Sequence, residues 1–388
     1  MLSEEDINAI LPEEFNLTSS KTIATLWSNY GRIYRLKLSN DAPKTLILKS
    51  IHPPATSLAD SDESHLRKLL SYEVEKWFYH HLASRLPSSV KVARSYAARG
   101  NDDGNLILED LEVDFPSPAY GSLGNEAMEC VLTWLAVFHA TFFRFHRVGS
   151  WNFTPSPNEF RKFIVTGRTV RGVWQRGTYW YLETRRDELG DTNDPEYAWL
   201  KPWIEKASHL LGHLLISVLS IPQVNDATES EIRQYGTLVH GDAKDANILF
   251  NQPPQRGRGR NHQQEDETSV PLQCALYDFQ YVGLGLPVHD LIYFIGTSAS
   301  RTLLTPTSER ILLEWYHATL LTTLRKTHND PSQVYPFDRF LRHWDLAIVD
   351  WYRFMAGWGF WGNANWVERR AREVVTVWEA NPANWVFS

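Results

Sequence analysis

Residues 238–250 read Leu238-Val239-His240-Gly241-Asp242-Ala243-Lys244-Asp245-Ala246-Asn247-Ile248-Leu249-Phe250. An apolar run leads in and an apolar run leads out. Between them stand an acid, Asp242, a lysine two places on, Lys244, and an asparagine five places after the acid, Asn247. A loop that short aims Asp242 and Asn247 at one point. Phosphoryl transfer uses such a pair: a carboxylate to take a hydroxyl proton and an amide oxygen to hold Mg²⁺. About thirty residues on, Ala275-Leu276-Tyr277-Asp278-Phe279-Gln280 reads as a short buried strand that delivers a second acid, Asp278, to the same place.

Together the two stretches resemble the catalytic loop and the metal-binding Asp-Phe-Gly region of the protein-kinase-like fold. The wording is closer to the small-molecule kinases. His240-Gly241-Asp242 stands where protein kinases have His-Arg-Asp, and Asp278-Phe279-Gln280 where they have Asp-Phe-Gly. The chain thus resembles the aminoglycoside phosphotransferase and choline kinase superfamily, most nearly its ecdysteroid-kinase-like branch, from about Ile23 to Leu320. The resemblance implies an α+β, bilobal protein-kinase-like fold. Residues 1–110 would form a small antiparallel β N-lobe with one helix, covering the nucleotide. Residues 111–388 would form a larger, mainly helical C-lobe with the catalytic loop, the metal site and the substrate-binding helices. The implied cofactors are ATP and Mg²⁺, and the implied partner is a small-molecule alcohol.

Composition agrees with such a protein. The 388 residues are 43% hydrophobic and 22% charged, enough for two lobes with sizeable cores. A net charge of −7 argues against a nucleic-acid surface. Two cysteines distant in sequence, Cys130 and Cys274, make neither a disulfide framework nor a zinc site, which favours a reducing compartment. The acidic start, Met1 to Asp6, lacks the apolar core of a signal peptide, and no stretch approaches the ~20 apolar residues of a membrane span. The expectation is a cytoplasmic protein with no membrane span, no nucleic acid and no obligate protein partner. No internal repeat is visible.

In chain order, residues 3–11 predict a short helix capped by Ser3, with Asp6 at its third position. Thr22 to Leu38 predicts two strands around a turn at Ser28-Asn29-Tyr30-Gly31, and Tyr34, Leu36 and Leu38 alternate with Arg35 and Lys37. Kinases place a phosphate-covering loop at this turn, but here only Gly31 remains of its glycines. After a turn over residues 39–43, Thr45 to Lys49 reads as a strand, and Lys49 matches the phosphate-binding lysine of the family. Its partner should be a glutamate on the helix predicted over 64–85. Glu73 and Glu75 point about 200° apart on that helix, so one of them faces Lys49. The family pattern Glu-x-x-Phe-Tyr selects Glu75, followed by Phe78 and Tyr79. Val90–Arg99 and Asn105–Leu111 read as a hairpin. Glu109 and Leu111 at its end match the family's hinge, where backbone groups hold adenine.

Further on, Asn125 to Phe143 is a strong helix in which His139 reads as a buried structural histidine. Trp151 to Lys201 is irregular and rich in aromatics and arginines, where the family carries substrate-recognition elements. Trp203 to Leu219 reads as a helix; His209 and His213 on it have metal-ligand spacing but form an incomplete site by themselves. Residues 252–270 are low-complexity, with Arg256 to Arg260 alternating with glycine, and read as a disordered surface insertion between two apolar strands. Asp290 matches the family acid that braces the catalytic loop through its backbone. Ser308–Leu324 reads as an amphipathic helix with Ile311, Leu312, Trp315, Tyr316, Leu320 and Leu324 on its apolar side. Phe337–Trp378 should be largely helical.

The resemblance assigns roles residue by residue. Lys49, held by Glu75, neutralises the α- and β-phosphates. Asn247 and Asp278 hold Mg²⁺. Asp242 is the catalytic base, and Lys244 steadies the γ-phosphate. Only eleven residues separate Asp278 from Asp290 and no Ala-Pro-Glu follows, which argues against a protein substrate. A catalytically silent binding protein should have lost one of the five polar positions, and all are present. The acceptor itself reads as bulky and apolar or aromatic, with a choline- or aminoglycoside-type substrate as the alternative. Trp174, Tyr179, Trp180 and Tyr181 before the loop, and Trp344, Trp351, Tyr352, Phe354, Trp358, Phe360, Trp361 and Trp366 after it, suggest an aromatic wall. Its neighbours Arg171, Arg176, Arg353, Arg369 and Arg370 disfavour a cation; Arg161, Lys162, Arg168, Arg185 and Arg186 point the same way.

Overall fold

The computed structural model describes residues 2–53, 63–99, 104–144, 153–154, 171–182, 185–186, 195–208, 234–254, 270–327 and 335–381. Helix α1 (Glu4–Ile10) opens with a capping box. Ser3 Oγ accepts the Asp6 amide at 3.1 Å, and Asp6 Oδ2 accepts the Ser3 amide at 2.8 Å. Then follow β1 (Leu17–Thr25), β2 (Gly31–Leu38), β3 (Thr45–Ile51), helix α2 (Glu63–His81), β4 (Ser95–Tyr96) and β5 (Asn105–Glu109). The five strands form one antiparallel sheet in the order β1-β2-β3-β5-β4. The alternation in β2 holds: Tyr34, Leu36 and Leu38 are buried with Leu46 and Leu48 of β3 against Ile7, Leu11 and Phe15. Lys49 lies on the other face, toward α2.

Three element boundaries differ from those read in the sequence. β1 starts at Leu17, because this edge strand is polar on both faces and exposed nearly throughout, so no alternation marks it. α2 stops at His81, with a single 3₁₀ turn, Ala83–Arg85, after it. The strand expected over 90–99 shrinks to Ser95–Tyr96. Its first half leaves the sheet: Lys91 bridges to Ala275 and its carbonyl accepts Trp134 Nε1 at 3.1 Å.

The rest of the described chain is mainly helical. It comprises β6 (Ser117–Pro118), α3 (Asn125–Thr141), β7 (Phe153–Thr154), β8 (Val173–Trp174), β9 (Thr237–Val239), β10 (Ile248–Phe250), β11 (Cys274–Leu276), β12 (Gly283–Gly285), α4 (Val288–Ser298), α5 (Pro306–Thr327), α6 (Phe337–Trp358) and α7 (Ala364–Ala380). The apolar runs on either side of the Asp242 loop are β9 and β10, and they belong to different small sheets. β9 pairs with β12, and β10 with β11. The loop is therefore strung between two anchored strands. The same pairing brings Asp278, two residues past β11, back beside it. The insertion leaves and rejoins this hairpin at one place: Gln252 Nε2 donates to the Val270 carbonyl at 2.8 Å. Its interior, 255–269, lies outside the described residues, as do His209, His213, Arg161, Lys162 and Arg168.

Packing corrects two readings. In α5, Leu312, Leu313, Tyr316, Leu320 and Leu324 are buried, but Ile311 and Trp315 are 51% and 40% exposed. The apolar stripe is narrower than the sequence suggests; Trp315 lies along the surface and bonds Thr133 Oγ1 at 3.0 Å. Of the proposed aromatic wall, Trp174, Trp180, Trp344, Trp351, Tyr352, Phe354 and Trp366 are buried in the helical core, because rings of that size bury more apolar surface there than anywhere else. Cys130 on α3 and Cys274 on β11 are free thiols, and Cys130 Sγ donates to the Leu272 carbonyl at 3.5 Å. Among the described residues no helix is long and apolar enough to cross a membrane.

Candidate active site

The loop after β9 is held from behind. Asp290 of α4, fully buried, accepts the amides of His240 at 2.6 Å and Gly241 at 2.9 Å, and meets His139 Nε2 at 3.0 Å. Burial would raise this carboxyl, but His139, His240 and the Gly241 amide hold it below the ordinary aspartate value. Gly241 has φ +84°, and a Cβ there would lie 2.2 Å from the Tyr281 carbonyl oxygen, so the chain passes too close for any side chain. The His240 ring takes the Asp242 amide on Nδ1 at 3.3 Å and gives its Nε2 proton to the Tyr277 carbonyl at 3.1 Å. It ties the loop to the residue before Asp278. Burial lowers its pKa, so the ring is neutral at pH 7.

Asp242, 6% exposed, follows Gly241 in the loop. Lys244 Nζ reaches both its carboxylate oxygens, at 3.0 and 2.9 Å. Asn247 Nδ2 donates to Asp242 Oδ2 and to its carbonyl, each at 2.9 Å. With the amide nitrogen spent on Asp242, the Asn247 amide oxygen is turned the other way. Burial pushes the Asp242 carboxyl up, and Lys244 partly opposes it.

Across from Asp242, Lys49 lies between two acids. Its Nζ is 2.5 Å from Glu75 Oε2 and 3.2 Å from Asp278 Oδ1. Glu73 pairs instead with Lys76 at 2.8 Å, so the choice between the two glutamates falls on Glu75. Asp278 takes φ +67°. Phe279 beside it stacks on Phe78 of α2 at 3.9 Å, and Gln280 Oε1 accepts from Ser71 Oγ at 3.2 Å. One turn of chain therefore fastens α2, with its glutamate, to the acid of the other stretch. Burial works against the Lys49 charge, but Asp278 and Glu75 more than offset it and raise its pKa. Burial pushes Glu75 up to about 7 against the pull of Lys49. Burial also acts on Asp278, but Lys49 draws it below the ordinary value.

The side chains of Glu109 and Leu111 stand apart from this constellation. The Glu109 carboxylate pairs with Lys91 at 2.6 Å and accepts the Arg94 amide at 3.0 Å, while Leu111 is buried and its carbonyl accepts the Phe115 amide at 2.8 Å. At the β1–β2 turn, Gly31 is the glycine the backbone needs, since a Cβ would lie 2.0 Å from the Ser50 carbonyl oxygen. Lys68 of α2 bonds Ser28 at 2.9 Å and holds the turn.

Two groups near Asp242, Tyr293 and Tyr281, escaped the sequence reading. The Tyr293 ring of α4 lies 6.0 Å from Lys244 Nζ, which pairs with Asp242, and its hydroxyl meets that of Tyr179 at 3.1 Å. The usable signal was spacing: Tyr293 lies three residues after Asp290, on the same face of one helix. Tyr281 packs on Tyr179 at 5.2 Å, and Arg185 Cζ lies 5.7 Å from the Tyr179 ring centre. Nothing in the sequence pairs these. The arginines read as repelling a cation are largely committed elsewhere. Arg353 is buried against Asp350 at 2.8 Å, and Arg370 binds Glu309 at 2.9 Å and Glu373 at 2.8 Å.

An antiparallel sheet carrying a lysine, a helix carrying its glutamate, and a helical part carrying an aspartate–asparagine loop with a second acid define a kinase-like protein of the small-molecule kind. Residues 29–329 match the profile of the ecdysteroid kinase-like family, and the chain belongs to that family. Among solved structures it is similar to the choline kinase from Cryptosporidium parvum Iowa II, at 8% identity and TM-score 0.51, covering 96% of this chain and 92% of that one. It is also similar to a microcompartment-associated aminopropanol kinase, at 14% identity and TM-score 0.45 over 99% and 98% of the chains. A third is the Plasmodium vivax ethanolamine kinase, at 10% identity and TM-score 0.39 over 94% and 82%. The fold likeness rests on the first of these. No match was found among curated protein sequences.

Proposed function

We propose that this protein is an ATP- and Mg²⁺-dependent phosphotransferase acting on a hydroxyl of a small molecule that is bulky and apolar or aromatic. The observation that carries the reading is convergence. Lys49 is paired at once with Glu75 and Asp278, and Asp242 with Lys244 and Asn247, although these residues span 230 positions of the chain. The residues fit the two cofactors. Asp278 and the outward amide oxygen of Asn247 are a hard oxygen pair of the sort that holds Mg²⁺ together with phosphate oxygens. Lys49 is a fixed positive charge placed for phosphate.

When bound, Mg-ATP supplies the phosphoryl group and the metal charge that screens it. The protein's own part is positioning and charge. Asp242 takes the acceptor hydroxyl's proton on a carboxylate oxygen. Asn247 fixes that carboxylate's orientation, and Lys244 lies beside it to meet developing phosphate charge. The Glu109 carbonyl and Leu111 amide, at the joint between residues 1–110 and 111–388, are the backbone groups we assign to the adenine edge. Tyr179, Tyr281 and the outward Trp358, 51% exposed, form the apolar side toward the acceptor.

Incubating the protein with Mg-ATP and a panel of alcohols, read by mass spectrometry, tests the reading. Phosphorylated products should come from bulky apolar or aromatic alcohols; a panel in which only choline or aminoglycosides react would overturn the substrate assignment. Asp278→Ala should abolish transfer and Asn247→Ala should raise the Mg²⁺ requirement. Full activity in EDTA is incompatible with the metal assignment.

A further inference from the structure

We propose that Arg185 decides which alcohols enter: its guanidinium occupies the cation-binding face of the aromatic wall beside Asp242, so the site refuses cationic acceptors and takes uncharged ones. The inference rests on reading Asp242 as the acceptor side of the site.

Tyr179 and the exposed Trp358 make the wall, with Phe354 buried in the core against both. Tyr179 meets Phe354 edge-on at 5.6 Å, and Phe354 lies nearly parallel to Trp358 at 6.0 Å. A surface of this kind attracts a cation within about 6 Å of its ring centres. The cation is already there. Arg185 Cζ lies 4.5 Å from the Trp358 centroid, 5.7 Å from Tyr179 and 5.9 Å from Phe354. It is anchored rather than draped: Arg185 Nε donates to the Tyr179 carbonyl and its amide to the Leu182 carbonyl, both at 2.9 Å.

The wall is one ring away from the chemistry. The Tyr179 hydroxyl meets that of Tyr293, whose ring lies beside the Lys244 ammonium paired with Asp242, and the charges of Asp242 and Arg185 both act on Tyr179. Lys244 adds a second cation, 6.0 Å from the Tyr293 ring. A quaternary ammonium group seeking the aromatic face would therefore meet a like charge in its place, a repulsion that low-dielectric surroundings strengthen. A flat or apolar alcohol can lie along the ring edges with no such conflict.

The test compares wild type with Arg185→Ala, Arg185→Gln and Arg185→Lys. Binding of choline and tetramethylammonium is measured by saturation-transfer NMR and calorimetry, neither of which needs turnover. Wild type and the lysine variant should bind neither probe at millimolar concentration. The alanine and glutamine variants should gain affinity by about tenfold or more, a gain that adding Trp358→Ala removes. The idea is overturned if wild type binds the probes as well as Arg185→Ala, or if the alanine and glutamine variants keep the wild-type melting curve and gain nothing. Loss of the kinase reading itself would show separately, as absence of phosphorylated product in every variant, with the binding gain still measurable.

Discussion

Asp242 is a buried carboxylate in the company of a lysine and an asparagine, and under the proposed function that company sets the pH at which it works. A base acts in its deprotonated form. Burial raises the Asp242 pKa above the ordinary 3.8, so activity should fall as pH drops through a point above that value. Lys244 is the largest influence in the other direction. Lys244→Ala should therefore move the acidic limb of the kcat profile to higher pH, besides lowering kcat. An acidic limb that stays put or moves down in this variant would show that Lys244 does not act on Asp242. Much of this neighbourhood was legible from residue types and spacing. Asp242, Lys244 and Asn247 lie within six positions, and Glu75 and Lys49 each sit on a strongly patterned element. The place of Tyr293 was not legible, because only tertiary packing brings that α4 face beside Lys244 and Asp242.

Among the elements, α4 is the brace of the loop. Asp290 at its start takes two backbone amides with two oxygens, a task that an amide side chain cannot perform, since one of its two ends is a donor. Asp290→Asn should cost about 2–4 kcal/mol in unfolding free energy, the scale of leaving buried donors unpaired. Because its folded pKa is depressed, the stability Asp290 contributes is present above the ordinary 3.8 and lost as pH falls through the folded value. Equal unfolding midpoints for wild type and Asp290→Asn would contradict the bracing role. The β10–β11 hairpin carries the opposite expectation. Gln252 and Val270 are within a hydrogen bond of each other. Replacing residues 253–269 with a short Gly-Ser turn should therefore leave melting temperature and turnover nearly unchanged, since loop length enters closure entropy only logarithmically. A large loss of either would mean that the segment packs on the core.

For the molecule as a whole, the two stretches around Asp242 and Asp278 carried the fold, because their residue order mirrors a three-dimensional convergence. The 16 tryptophans misled where order could not help. Trp180, Trp344 and Trp351 have the same composition signature as a binding wall, but they fill the helical core. Burial is a property of the packed molecule, and an aromatic on a helix reads alike whether it meets a ligand or another helix. Cys130 and Leu272 are the reverse case: far apart in sequence, hydrogen-bonded in space. The central claim is that Asp242 is the base of an Mg-ATP phosphotransferase. Its most direct test is Asp242→Asn, with Mg-ATP affinity by calorimetry and product formation by mass spectrometry on the best alcohol of the panel. Affinity should stay near wild type while transfer falls by about 10²–10⁴, the range expected when a general base is removed; transfer at the wild-type rate would contradict the account.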